Sequence, residues 1–295
     1  MSNPDGSEKY ELDLRSSREI VARMDRQIDL VDRILAEGKE SRELAIKDTQ
    51  ELGLTGFTNS LGMPFVPVPG LDGVQFCIWQ TRVQDYAAYA AENTGINMAW
   101  KDVEVEGYQQ GHLQGHQQRP DHPVVEVSWE DATAFCEWLS RKEGKTYRLP
   151  TDHEWSVAVG IGDREDPATL PKDKDATIEG YPWGNQWPPP SASGNFAGSE
   201  AEGVGWRCIE GYQDPFPFTA PVGSFELNHH GIKDLSGNVW EWCQDCYYED
   251  YRVLRGGSWN DGQGYNVRSS YRDYYTPAYR YNYNGFRVVV IGVGG

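Results

Sequence analysis

Apolar residues recur at helical spacing once, near the start of the chain, and then give way to short strand-like runs separated by long polar stretches. Ser16 and Glu19 fit a capping box, and Ile20, Met24, Ile28, Val31 and Leu35 follow at helical intervals up to the stop signal Gly38. A weaker helical pattern continues from Leu44 to Leu52. Residues 1–55 are therefore expected to form an N-terminal helical arm. With so few heptads, an arm packed on its own domain is favoured over an oligomerising or docking helix. Self-association through it stays open.

From Phe57 the pattern changes. MPFVPVPG and VQFCIWQTRV read as strands joined by a Gly-Leu-Asp-Gly turn, and Tyr86, Ala87, Tyr89 and Ala90 suggest a helix ending near Gly95. A polar loop, GYQQGHLQGHQQRPDH, follows. In VSWEDATAFCEWLSRKEGK, Ser128 is placed to cap a helix with Asp131 at its third position. Ala132, Phe135, Cys136 and Leu139 make its apolar face, and Gly144 ends it. YRLPTDHEWSVAVG then reads as strand, Pro turn and short helix. Residues 160–225 are so rich in Pro, Gly and Asp that a loop of this length needs metals or aromatic packing to hold it.

The segment from Arg252 to Val290 has a different texture. It opens with the strand-like VLRGGSW, closes with GFRVVV, and contains neither Leu nor Ile between them. Tyr265, Tyr271, Tyr274, Tyr275, Tyr279, Tyr281 and Tyr283 crowd into it among Asn, Asp, Gly, Ser, Thr and Arg. Such a composition cannot make a hydrophobic core by itself. It suits a binding surface, where Tyr supplies rigid contact area and small polar residues adapt their hydrogen bonds.

At 295 residues, with 38% hydrophobic and 24% charged residues, the profile is that of a soluble globular protein with a substantial core. Eleven Trp beside 32 Gly point to short strands and ordered loops pinned by indoles. A net charge of -18 argues against nucleic acid or anionic membrane as partner. The five Cys are odd in number and scattered, which favours reduced, buried thiols and a reducing compartment. No signal peptide and no apolar run long enough to span a bilayer is visible, so a cytoplasmic location is the default expectation.

The ordered set HPVVEVSWEDATAFCEWLSRKEG, YRLPTDHEWSVAVG, YPWGN, GNF, TAPVGSF, GIKDLSGNVWEW, RVLRGGSW and GFRVVV closely resembles the formylglycine-generating enzyme (sulfatase-modifying factor) superfamily. The resemblance runs from about Asn59 to the C-terminus. It implies an α+β, C-type-lectin-like domain over 56–295, low in regular secondary structure, following the helical arm. Relatives include formylglycine-generating oxidases, iron-dependent sulfoxide synthases and non-catalytic binders, among them the variable proteins of diversity-generating retroelements. Fold alone does not choose among these.

The resemblance places Asp261 and Asn266 where the oxidases carry copper-binding thiols. Cu(I) requires soft ligands, so oxidation by that mechanism is not expected. Cys243 and Cys246 form a lone CxxC on another segment, weak evidence for redox or metal chemistry. His112 and His116 are spaced i, i+4 but flanked by Gly111 and Gly115, and no helical bundle of the kind the iron enzymes use accompanies them. His122, His153, His229 and His230 are read as scaffold or turn residues.

Two structural calcium sites are also implied. One maps to the side chains of Asn195 and Asp214 with the carbonyls of Phe196 and Phe216, the other to the side chains of Asp234 and Glu241 with the carbonyls of Gly237 and Val239. Framework residues Arg255 to Trp259, Arg268 to Ser270, Arg272, Pro277, Arg280 and Gly285 to Arg287 stay recognisable. Between them lie Asn260, Asp261, Gly262, Gly264, Tyr265, Asn266, Tyr271, Asp273, Tyr274, Tyr275, Thr276, Tyr279, Tyr281, Asn282, Tyr283 and Asn284. Each of these residue types is reachable from an AAC or AAT codon by replacing its adenines, the change that diversifies retroelement variable proteins; Gln263 is not. The expectation is a non-enzymatic protein that binds an unknown protein or surface ligand through a variable segment at about 253–290. An oxidase or iron enzyme of the superfamily, or a non-diversified scaffold member, is the alternative.

Overall fold

The computed structural model describes residues 47, 56–101, 103, 119–202 and 207–292, so the helical pattern of the N-terminal arm and His112 and His116 lie outside the described residues. Two small sheets carry the fold. The first runs β1 (Phe57–Thr58), β2 (Pro64–Pro67), β3 (Val74–Cys77), β9 (Val289–Ile291), β4 (Thr146–Arg148), every neighbour antiparallel. The second has the order β7 (Asp273–Tyr275), β6 (Tyr251–Arg255), β5 (Trp240–Tyr248), β8 (Asn284–Gly285), with β5 and β8 parallel. The Tyr-rich segment thus leaves from one sheet and returns as β9, an interior strand of the other between β3 and β4, which ties both of its ends into the core.

The helices form where the pattern places them, for the local reasons expected. α1 (Val83–Glu92) starts three residues before Tyr86, because Asp85 accepts from the Arg82 N–H at 3.0 Å and from its Nε at 2.9 Å. α2 (Trp129–Glu143) is capped by Ser128, whose Oγ accepts from Asp131 N–H at 3.1 Å while Asp131 accepts from Ser128 N–H at 2.9 Å. It stops at Gly144, whose φ of 64° favours glycine. α3 (Asp152–Val159) repeats the device with Thr151 and Glu154.

α1 and α2 meet through rings: Tyr86, Tyr89, Phe135 and Trp138 lie 5.3–6.0 Å apart, and Phe286 reaches Phe135 at 5.4 Å. These join the apolar strand faces in one main core. Among the described residues, 160–225 contain α4 (Pro171–Lys174) and two 3-10 turns as their helical elements. Aromatic packing holds this stretch: Phe196, Ile209, Tyr212 and Val267 form a separate cluster, and Tyr181, Trp183 and Trp187 stack.

Candidate functional site

Buried charge anchors the Tyr-rich segment. Arg255 ends β6 and Arg272 immediately precedes β7, and both guanidinium groups converge on Asp152, the first residue of α3. Arg272 also forks onto Glu165 at 2.7 and 2.9 Å, and Lys174 adds a bond to Asp152 at 2.8 Å. Burial alone would raise the Asp152 carboxyl, but Arg255, Arg272 and Lys174 hold it well below the usual carboxylate range. Arg255 further donates to the carbonyls of Tyr271 and Ser269, and Arg272 to that of Ser270. Framework arginines legible in the sequence are thereby fixed by Asp152, Glu165 and Lys174, partners that no local sequence signal revealed.

On this support the candidate positions sort into three groups. Asn260, Asp261, Asn266, Tyr271, Asp273 and Tyr283, with Trp240 and Ser258, line one cavity of about 140 Å³. Tyr275, Tyr279, Tyr281 and Tyr283 run as a chain of rings 4.0, 5.8 and 4.4 Å apart. Tyr274 stacks on Tyr247 at 4.2 Å and meets Tyr248 and Tyr251 edge-on. Those three come from the β5–β6 hairpin, an aromatic flank outside the expected segment. Tyr265 is 46% exposed, Thr276 is exposed, and the other tyrosines of the segment are half-buried.

Some expected surface positions are not on the surface. Asn284, in β8, is 0% exposed and pairs with Trp240 of β5, and Asp261 and Asn282 are also buried. Gly262 is a closer case. A Cβ there would lie 1.4 Å from the Arg207 carbonyl oxygen, so glycine serves a close backbone approach and cannot be exchanged freely. At Gly264 an added Cβ meets only the Tyr181 hydroxyl at 3.0 Å and the Trp187 ring at 3.2 Å.

Asp261 and Asn266 touch: the Asn266 amide donates to Asp261 Oδ1. Asp261 Oδ2 accepts from both the N–H and the hydroxyl of Ser258, each at 2.8 Å. Burial outweighs these donors and raises the Asp261 carboxyl. Asp273 receives the Tyr274 N–H at 2.8 Å, yet burial, together with the Asp261 and Asp175 charges, pushes its carboxyl up to about 6. Cys243 is buried and its thiol is raised well above the ordinary value by burial, whereas Cys246, three residues on, is exposed. That pair is not a juxtaposed redox couple. His122 Nδ1 bonds the Thr219 hydroxyl at 2.9 Å, and the His229 and His230 rings lie against each other at 3.8 Å.

The calcium sets can be tested on their oxygens. Among the described residues, Asn195 Oδ1 and Asp234 Oδ1 are buried without a hydrogen-bond donor. At the second set, the carbonyls of Asp234, Gly237 and Val239 and Glu241 Oε1 converge within 3.1–3.4 Å of one atom, the Gln80 amide nitrogen. Arg287 adds contacts to Glu241 and the Asp234 carbonyl. At the first set, burial pushes the Asp214 carboxyl up to about 7 while its oxygens receive the N–H groups of Phe216 and Phe196. Oxygens gathered around one point are the donor set a hard cation takes. At the second set, however, the Gln80 amide nitrogen stands at that point and Arg287 bonds Glu241. At the first set Asp214 already accepts two N–H groups. Asn195 Oδ1 and Asp234 Oδ1, which receive no donor among the described residues, are the oxygens open to a cation. Gln80, which shares the second set, was invisible in the sequence because it comes from a strand end more than 150 positions away.

A polar, ring-lined cavity set on an α+β scaffold of few regular elements defines the class, and the comparisons define the family. The sulfatase-modifying factor enzyme 1-like domain family matches residues 53–291, and the chain belongs to it. It is 33% identical over 199 residues to the formylglycine-generating enzyme of Streptomyces coelicolor, covering 57% of this chain and 52% of that one. It is 37% identical over 157 residues to the inactive C-alpha-formylglycine-generating enzyme 2 of Mus musculus, covering 50% and 41%. The chain thus spans about half the length of these relatives. The fold is shared with PvdO from Pseudomonas aeruginosa (TM-score 0.58, 23% identity, 81% and 98% coverage). It is shared too with Treponema denticola variable protein 1 (TM-score 0.54, 18% identity, 81% and 95% coverage). Among the described residues no helix is long and apolar enough to cross a membrane.

Proposed function

We propose that this chain is a non-enzymatic recognition protein that presents the Tyr-rich surface of its C-terminal segment to a protein ligand. The observation that carries the reading is the Asp261–Asn266 contact at the floor of the cavity. A carboxylate locked by an amide and a serine stands where the resemblance places two thiols, and hard oxygen and amide groups do not hold Cu(I). The family contains both a formylglycine-generating enzyme and a relative designated inactive, so membership is compatible with either outcome. The fold shared with a Treponema denticola variable protein supports a diversified segment at this place. The buried Asp152 network supports it as well, by stiffening the surface before any ligand arrives and so limiting the entropy lost on binding.

Incubation of the chain with Cu(I), oxygen and a Cys-containing sulfatase peptide should leave the peptide unchanged in mass. Conversion of its Cys to formylglycine would overturn the reading. If the segment is diversified, the gene's neighbourhood carries a reverse transcriptase and an imperfect copy of the segment differing at adenines. Calcium is proposed as a structural ion at the Asn195/Asp214 and Asp234/Glu241 sets. Its removal by chelation should lower the melting temperature, and an unchanged melting curve, with no calcium detected in the purified protein, would reject it.

A further inference from the structure

The cavity under the Tyr-rich surface has a composition that selects one kind of guest. Its exposed lining is almost wholly polar and includes the two carboxyl groups of Asp261 and Asp273, with Ser258, Asn260 and Asn266. Trp240, Tyr271 and Tyr283 border it, and the Trp240 indole N–H donates to Asp261. Among the described residues, no Lys or Arg lines it. The cationic side chain nearest in sequence, Arg272, commits its guanidinium to Asp152 and Glu165. The groups acting on Asp273 are the Asp261 and Asp175 carboxylates, and its own charge acts on the phenols of Tyr271, Tyr275 and Tyr279. Two carboxyl groups therefore share one polar recess without a counter-ion among the described residues. Uncompensated buried carboxylate is costly, and a cationic partner relieves it.

Size and polarity narrow the choice. About 140 Å³ is well below the roughly 300–1,000 Å³ of sites for whole small molecules, and close to the ~150 Å³ cavity that admits a benzene-sized group. One side-chain head fits; a nucleotide or a sugar chain does not. A metal ion is disfavoured, because Asp261 is already surrounded by donors from Ser258 and Asn266, whose N–H and O–H groups would face the ion. Asp273 receives a hydrogen bond on Oδ1, and no bond to its second oxygen is present among the described residues.

We infer that the cavity receives a cationic side chain of the protein ligand, arginine in preference to lysine, with Asp273 as its ion partner. This rests on the recognition reading above and names what that surface recognises. Arginine is preferred because its planar guanidinium presents several N–H donors, forking onto the Asp273 carboxylate while reaching the oxygens of Asn260 and Asn266 in the polar lining. Asp261 acts as a positioning residue that holds the cavity floor.

The probe is N-acetyl-arginine amide, with N-acetyl-citrulline amide as its neutral counterpart of like shape, titrated onto the full chain by saturation-transfer NMR. The arginine amide should bind, and citrulline at least about tenfold more weakly. Asp273→Asn, a near-isosteric change checked by its melting curve, should weaken arginine about tenfold while leaving citrulline unchanged. With the Asp273 carboxyl at about 6, its ionised fraction falls from nearly all at pH 7.5 to about a tenth at pH 5, so arginine affinity falls about tenfold on that acidification. No arginine binding, equal binding of citrulline, or an unaffected Asp273→Asn variant overturns the inference. Panning a random peptide library on the full chain separates the two levels. Selected peptides devoid of Arg and Lys leave the recognition surface standing and sink the cationic guest, whereas no selection at all sinks both.

Discussion

Gly262 and Gly264 differ by two positions and by almost everything that matters for a variable surface. The first lies against a backbone carbonyl that has nowhere to go, the second against the far ends of a tyrosine and a tryptophan. Gly262→Ala should therefore destabilise the protein by about 1–3 kcal/mol through overpacking, whereas Gly264→Ala should stay within roughly 0.5 kcal/mol. Denaturant titration of the two variants checks the contrast, and equal midpoints would show that the Arg207 segment yields. Codon reachability places both glycines in one class, because it describes the genetic route to a residue and is silent on the space around it. Asn284 illustrates the same limit. Its type belongs on a polar surface, and its burial follows from pairing with β5, which no local pattern specifies. Asp261 and Asn266 were legible as a pair because the resemblance carried the position of each, and their contact supplies the physical reason.

Among the elements, the junction of α3 with β6 and β7 matters most to the site. Asp152 there balances Arg255, Arg272 and Lys174 in the interior. Asp152→Asn leaves those cations under-compensated and should cost about 3–5 kcal/mol, read from denaturant unfolding. The pH dependence has a defined sign. The folded Asp152 carboxyl is depressed, so its contribution is fully present above the unfolded value of about 4 and is lost as pH falls towards the folded one. Wild type should lose this increment on acidification below about pH 4, and the Asn variant should not show it. A variant as stable as wild type at pH 7 would mean that the network does not brace the surface. The helices α1, α2 and α3 were readable because caps and apolar spacing are local. The ion network was not, because Asp152 and Arg272 are separated by 120 positions and only the tertiary fold joins them.

For the whole molecule, the arrangement separates support from display. Both ends of the C-terminal segment are built into sheets, its framework arginines are tied to α3, and loops that the sequence marked as needing restraint are packed by rings. What remains half-exposed is a chain of tyrosines above a small acidic cavity. The rings stack on one another as well as facing outward, so trimming them costs some stability along with contact area. The decisive measurement is the affinity of a peptide selected on the full chain for the Tyr274→Ala/Tyr279→Ala/Tyr281→Ala variant, taken well below that variant's own melting temperature. A loss of about 100-fold or more in a variant that remains folded is the predicted result, since aromatic anchors dominate such interfaces. A folded triple variant that binds the peptide as tightly as wild type would contradict the account.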